Sequence, residues 1–475
     1  MARDLTSGAV GPLLVTFALP TLAASAIQSA SGTFNAFWVG RYLDEGALAA
    51  TANGNIAMFL LVSFVFGFGM AATIYVGQAF GKNDSDRARQ VLGTALGAFV
   101  PAALLVAVLA WLGAPAALSL LDTDAAIAAD ARQYLRAILS GMPFMLTLTL
   151  LTMALRGAGD AITPLVFTGL CVVLDVSLTP LLIAGLWGLP ELGMTGAGLA
   201  TAIANFLALS ALVATLYLRR SPLAIRSLVL FIPDPATLRL VLGKGLPMGL
   251  QMIVVSGAAL TILGLVNGYG VDAAAAYGIV QQIWTYLQMP GMALSAAVSA
   301  IAAQNIGAGK WARVGEVTAK GVVAAAALTG LVLAALLLAD TPVLGLFLDR
   351  EGSAETIAER ILWVGSGGYV ALGMAFVYIG TIRANGQVWA PLLIIFAGMF
   401  PIRVSFALLF QDTLGLDAIW WSFPVSMVAI LAMAYAYYRF SGWRTGDSWK
   451  LRSHHEGHVE SRTLREPGAQ DVAIA

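Results

Sequence analysis

The sequence predicts an all-α membrane protein with twelve transmembrane helices, arranged as two six-helix lobes that repeat in parallel. Three observations carry that prediction: a composition stripped of charge, a series of long apolar runs, and short segments that recur about 227 residues apart. The 475 residues are 59% apolar and 11% charged, where a globular chain is about 45–50% apolar and about 25% charged. Mean hydropathy is +0.83. Lys plus Arg (26) balance Asp plus Glu (26), so no net charge draws the chain to nucleic acid. Cys171 is the single cysteine and cannot close an internal disulfide. His454, His455 and His458 are the only histidines, so no imidazole is available before residue 454 for metal or proton chemistry. This composition argues against a soluble enzyme, a secreted disulfide scaffold and a nucleic-acid binder.

The apolar runs give the elements in order. A helix needs about 20 apolar residues to cross ~30 Å of hydrocarbon, and the runs here are continuous rather than alternating, which argues against a barrel. The first six spans are expected at 12–36, 52–80, 92–119, 133–155, 162–186 and 195–218. The second six are expected at 242–267, 274–304, 317–345, 361–382, 391–411 and 416–438. The run from Gly11 to Ile27 is too long for a cleavable signal peptide. Residues 1–218 then form the N-lobe, 219–241 a basic inter-lobe linker, 242–438 the C-lobe and 439–475 a polar tail. Twenty of the 26 basic residues fall on the side that holds the N-terminus, the even-numbered returns and the tail, and five fall opposite. Basic residues are retained in the cytoplasm, so both termini are expected there, in a protein of the inner (plasma) membrane.

The repeat fixes the architecture. Phe17-Ala-Leu-Pro20 returns as Lys244-Gly-Leu-Pro247. Gln78 and Gly81, at the exit of the second span, return as Gln304 and Gly307. Arg156-Gly-Ala-Gly-Asp160 before Pro164 returns as Arg383-Ala-Asn-Gly-Gln387 before Pro391. Leu192-Gly193 and Leu414-Gly415 each precede the last span of their half. An even number of spans per unit keeps both copies in the same orientation, so the repeat is parallel, and two such lobes are the usual frame for alternating access about a midplane site.

These landmarks resemble the multidrug and toxin extrusion family, within the multidrug/oligosaccharidyl-lipid/polysaccharide exporter superfamily. The segments that carry the resemblance are Phe17-Ala-Leu-Pro20, Phe37-Trp-Val-Gly40 with Ala47-Leu-Ala-Ala50, Gly77-Gln78 to Gly81 with Arg87-Ala-Arg89, and Arg156-Gly-Ala-Gly-Asp160 to Pro164. Gly193-Met-Thr-Gly-Ala-Gly-Leu-Ala-Thr201 follows, and the second half adds Gly245-Leu-Pro247, Ala276-Tyr-Gly278, Gln304 to Lys310 and Arg383. The likeness covers residues 10–440. It implies two lobes around a central V-shaped cavity, and export of cationic or amphipathic drugs against inward flow of H⁺ or Na⁺.

Ionisable groups inside a bilayer cost about 2.5–3.5 kcal/mol each on insertion scales, which marks them as functional candidates. Two lie deep in spans: Asp175 in the fifth and Arg403 in the eleventh, at matching depths of the two halves. A carboxyl held out of water takes up a proton readily, so Asp175 is the candidate coupling group, loading a proton on one side and yielding it to a cationic substrate. The alternative is a structural ion pair with Arg403. Proton-coupled members of the family carry an aspartate in the first span where this chain has Asn35, which cannot carry a proton. Sodium-coupled members carry acids in spans seven and ten, and 242–267 and 361–382 contain none. Asn35 is read instead as a hydrogen-bonding substrate contact.

In span eight, Gln281, Trp284 and Gln288 share one helical face, with Gln282 and Tyr286 on the next. Amides and aromatics at that spacing suit a cavity wall for flat cations. Arg403 completes the candidate substrate-binding set of Asn35, Gln281, Gln282, Trp284 and Tyr286. Pro290 is expected to kink its helix, while Met248, Met252 and Met289, like Gly67 and Gly69, read as packing. His454, His455 and His458 read as a solvated tail rather than a metal site. No Walker A or glycine-rich nucleotide fingerprint is present, so neither cofactor nor metal is expected and ATP is not the energy source. The leading expectation is a monomeric antiporter exporting organic cations or amphipathic compounds, conferring drug resistance. The alternative is a lipid-linked oligosaccharide or lipid flippase of the same superfamily. A membrane hydrolase lacks a nucleophile–base set.

Overall fold

The computed structural model describes residues 4–43, 45–120, 128–188, 190–345, 347 and 352–444; the three histidines, Arg350 and most of the tail lie outside them. Among the described residues the chain forms helices and no strand, as lipid demands of a chain whose backbone must satisfy its own hydrogen bonds. The first half contributes α1 (Val10–Tyr42), α2 (Glu45–Gly81), α3 (Ser85–Leu120), α4 (Ala128–Gly157), α5 (Ile162–Ile183) and α6 (Gly193–Leu218). The second contributes α7 (Pro235–Asn267), α8 (Val271–Gly307), α9 (Trp311–Leu338), α10 (Ser353–Gly365 with Gly368–Ala384), α11 (Trp389–Leu409) and α12 (Asp417–Phe440). Ten of these are singly long and apolar enough to cross a bilayer, and α10 reaches that length as a pair bent by 44°. The remaining helix, α2, is 37 residues long and supplies the apolar stretch Val65–Gly81.

Two helices depart from the straight spans expected. α10 breaks at Ser366-Gly367, where flanking glycines make the bend cheap. α11 passes through a π-helical turn at Gly398–Ile402 that contains Pro401; proline offers no N–H and crowds the preceding turn, and the wider turn accommodates it. Conversely, α8 runs unbroken through Pro290.

The repeat is visible in the backbone. The turn after α2 places Asn83 at φ +58°, and the turn after α8 places Gly309 at φ +72°. The returns after α4 and α10 place Gly159 at +88° and Gly386 at +75°, and Gly193 (+51°) and Gly415 (+56°) open α6 and α12. Left-handed residues thus punctuate both halves at matching places, filled by glycine or by asparagine, which tolerates that conformation best among the rest.

Small residues set the helix spacing. A Cβ on Gly141 would lie 2.5 Å from Ala202 of α6, and one on Gly291 would lie 2.7 Å from Gly373 of α10, so these crossings require glycine. The halves meet where α2 packs on α7 and α8 and where α1 packs on α8. At Gly67, a Cβ would stand 2.3 Å from the Gly245 carbonyl oxygen. These close approaches lie in the half of α2 nearer the α2–α3 turn, the face that also holds the N-terminus. Toward the opposite face, Phe34 and Phe37 of α1 are half exposed.

Candidate functional site

Asp175 sits mid-way along α5 with 5% of its surface exposed. Its carboxylate meets three donors from two other helices. Asn35 Nδ2 of α1 donates to Oδ2 at 2.8 Å, Ser31 Oγ to the same oxygen at 3.1 Å, and Thr201 Oγ1 of α6 to Oδ1 at 2.8 Å. Thr179, one turn after Asp175, lies 2.7 Å from the Asp175 backbone carbonyl and 3.2 Å from Asn35 Oδ1. Asn205 in turn donates to the Thr201 carbonyl at 2.8 Å. The site is therefore three four-residue steps, Ser31 with Asn35, Asp175 with Thr179 and Thr201 with Asn205, brought together where α1, α5 and α6 touch. A four-residue step on a helix keeps two side chains on one face, which is why each helix delivers two polar groups to one point.

The chemistry follows from the donor inventory. As a carboxylate, Asp175 accepts from all three donors. Once protonated, it becomes a donor itself, and the Ser31 or Thr201 hydroxyl rotates to accept, while the Asn35 amide keeps its bond. Both protonation states are served without movement of the backbone. The ion pairs among the described residues join Arg89 to Asp86, Lys320 to Glu316 and Arg360 to Asp417, and none neutralises Asp175. Its charge is held by dipoles alone.

Arg403 does not pair with it. The guanidinium lies in the second half, 3.7 Å above the Phe423 ring, with Nη1 3.6 Å from the Met399 sulfur. It is 5% exposed, and its Nε has no hydrogen-bond partner among the described residues. The two charges at matching depth therefore stand in separate surroundings, and the expected alternative of an Asp175–Arg403 pair is not what forms.

The face expected on α8 divides. Trp284 is 1% exposed, donates its ring N–H to Ser366 Oγ at 2.8 Å, and packs on Phe423 and Tyr369 with centroids 4.6 and 5.4 Å apart. It belongs to the second half's aromatic core, not to a cavity wall, because the bend of α10 presents a hydroxyl that satisfies its one polar atom. Gln281 is half-buried, and Gln282 and Tyr286 are exposed. Met248 is buried against Ile74 and Val388, a packing role as expected. Sequence reading assigned no role to Ser31, Thr201 or Asn205. Their signal was available in the four-residue polar spacing within otherwise apolar spans.

Comparison with known proteins finds relatives over most of the chain. A family model described as MatE matches the chain twice, over residues 20–181 and 247–409. The chain is 32% identical over 429 residues to the probable multidrug resistance protein YoeA of Bacillus subtilis, covering 89% of this chain and 92% of that one. It is 24% identical to the multidrug export protein MepA of Staphylococcus aureus, over 89% of this chain and 93% of the relative. Among solved structures, the outward-facing conformation of a multidrug resistance MATE family transporter superposes with a TM-score of 0.86 at 18% identity, over 92% of this chain and 97% of the other.

Proposed function

Because the chain belongs to the MatE family of multidrug efflux transporters, we propose that it works by alternating access, the lobes 1–218 and 242–438 rocking about the 219–241 linker, and that Asp175 couples the cycle. The protein is a multi-pass membrane transporter and not an enzyme. In this reading it exports organic cations or amphipathic compounds, works as a monomer in the plasma membrane, and keeps both termini and the tail in the cytoplasm.

One observation carries the mechanism: a buried carboxylate surrounded by neutral donors and, among the described residues, by no cation. A proton or a cationic drug each neutralises that charge, and the two exclude one another at one carboxyl. Protons entering from outside displace the drug on the outward side, and the acid discharges inward before it receives the next. A proton suits the site better than Na⁺. Each carboxylate oxygen already faces a donor hydrogen, and a metal ion would require the hydroxyls and the Asn35 amide to turn their oxygens inward. Asn35, together with Gln281, Gln282 and Tyr286 on the exposed side of α8, offers hydrogen bonds and a ring to the substrate. Arg403, enclosed in the second half's core, lends the flippase alternative no basic lining for a pyrophosphate.

The test is efflux of a fluorescent organic cation from proteoliposomes under an imposed pH gradient or an imposed sodium gradient. Wild type responds to the pH gradient. Asp175→Asn keeps the fold and loses at least tenfold of the gradient-driven rate. An unchanged pH response in the variant removes Asp175 from the mechanism, and a response to sodium alone replaces the coupling ion.

A further inference from the structure

On the face that holds the N-terminus, a pair of glutamines, one from each half, reaches across to the other half. Gln78, near the end of α2, donates its Nε2 proton to the Ala384 carbonyl of α10 at 2.7 Å. Gln304, near the end of α8, donates its Nε2 proton to the Gly157 carbonyl of α4 at 3.1 Å. Gln78 and Gln304 are repeat mates, and so are Gly157 and Ala384. The bonds are therefore one interaction made twice, each half giving to the other at the same place. Both glutamines are nearly fully buried, at 3% and 2% exposure.

The backbone around this exchange is equally reciprocal. A Cβ on Gly81 would fall 1.9 Å from the Gln304 carbonyl oxygen, and one on Gly307 would fall 2.1 Å from the Gln78 carbonyl oxygen. Glycine is required at both positions for α2 and α8 to approach this closely. The chain start is fastened across the same joint: Leu5 N–H donates to Gln304 Oε1 at 3.0 Å, and Asn305 Nδ2 donates to the Leu5 carbonyl at 3.1 Å. Lys310 Nζ and Arg313 Nη2 donate to the Thr6 and Ser7 carbonyls at 3.0 and 2.8 Å. Gln304 is thus the hub, with its oxygen on the strap that leads into α1 and its nitrogen on α4.

We infer that Gln78 and Gln304 are the gating residues of the transport cycle, a symmetric two-bolt latch that holds the N-terminal face shut and must release for that face to open. The inference rests on the alternating-access reading. The physical reason is geometric. The bonds cross the seam between bodies that rock, so a small rotation lengthens both together, and each amide nitrogen has a single carbonyl acceptor of the other half among the described residues. Two bonds of ordinary strength bias the equilibrium toward the closed face by about tenfold. The two carbonyl bonds contribute about half of that bias each on a logarithmic scale, and Gln304 adds its bond from the Leu5 N–H to its own share.

The experiment uses the full chain in proteoliposomes, with Cys171→Ser removing the native thiol and Ala303→Cys placing a reporter in the seam beside Gly77. Gln78→Met/Gln304→Met keeps side-chain length and removes both donors and, at Gln304, the acceptor of the Leu5 N–H. The expected result is labelling of Ala303→Cys by a water-soluble maleimide at least tenfold faster in the double variant, about threefold faster in Gln78→Met and at least threefold faster in Gln304→Met. Labelling of a second reporter, Ala276→Cys in the core of the second half, stays unchanged. Equal labelling of Ala303→Cys with and without the glutamines overturns the latch, as does a parallel rise at Ala276→Cys, which marks general loosening. Labelling reads conformation and not flux. A wild type that labels as expected and exports nothing would refute the export reading and leave the latch standing.

Discussion

At the scale of single residues, the contrast between Trp284 and Asp175 separates packing from function. Trp284→Phe retains most ring contact and leaves Ser366 Oγ buried without its donor, so it costs roughly 1–2 kcal/mol of stability. The expected readout is a lower melting temperature in detergent with the KM for exported cation changed less than twofold. A severalfold rise in KM at unchanged melting temperature would return Trp284 to the substrate path. Asp175 was legible in the sequence because a charge in an apolar run is conspicuous. The rotation of Trp284 was not, because three residues on one helical face fix a direction only relative to each other. Which neighbour that face meets depended on the bend in α10, set by Ser366 and Gly367. Ser31 and Thr201 went unread for another reason: a hydroxyl in a membrane helix usually satisfies itself on the carbonyl one turn back, as Thr73 does with Gly69.

At the scale of the element, α7 shows how a span is started. Asp234 caps it, accepting the Thr237 N–H at 2.9 Å, and Pro235 fills the first helical position, where its missing N–H costs nothing. Donation from the Thr237 hydroxyl holds the Asp234 carboxyl below the ordinary carboxylate range, with the Thr237 amide and the Arg87 charge adding to it against a small cost of burial. A carboxyl whose folded value lies below its unfolded one stabilises the fold fully above the unfolded value, about 3.9, and loses that contribution as pH falls through the folded value. Asp234→Ala is therefore expected to cost about 1 kcal/mol at neutral pH. The gap between the melting curves of wild type and variant should be full at neutral pH and narrow as pH falls below about 4; a gap that does not narrow in acid contradicts the cap. The span expected from the sequence begins at 242, with 219–241 in the linker, because Arg239 and Lys244 break the apolar run; the helix starts at Pro235, and the Asp-Pro pair ahead of it was the signal passed over. The π-helical turn in α11 was less legible, since Pro401 foretells a disturbance but not whether the helix kinks, breaks or widens.

At the scale of the whole molecule, the seam decides what can move. Gly77 and Ala303 face each other across it, with a Cβ on Gly77 falling 3.0 Å from the Ala303 Cβ, close to disulfide range. In a Cys171→Ser background, Gly77→Cys/Ala303→Cys is expected to oxidise readily, to arrest efflux when oxidised, and to recover on reduction. Transport by the oxidised form at the reduced rate would mean that this face need not open. The duplication behind the seam was readable from three landmarks at nearly one spacing, and the positive-φ residues at Asn83 and Gly309, Gly159 and Gly386, and Gly193 and Gly415 carry it into the backbone. What the spacing could not convey is that the copies have diverged inside. The first keeps a joint lined with hydroxyls and amides around an acid, and the second closes rings around a guanidinium.

That divergence assigns unequal mechanical parts. A body whose interior is occupied by Trp284, Tyr277, Phe423 and Trp420 is filled by interlocked rings and has little slack to absorb torque. In the half that surrounds Asp175, α1, α5 and α6 meet at a few reorientable dipoles. In the proposed cycle, a change of occupancy at Asp175 tilts one lever against a stiffer counterpart, and a machine encoded as twins runs as a lopsided pair.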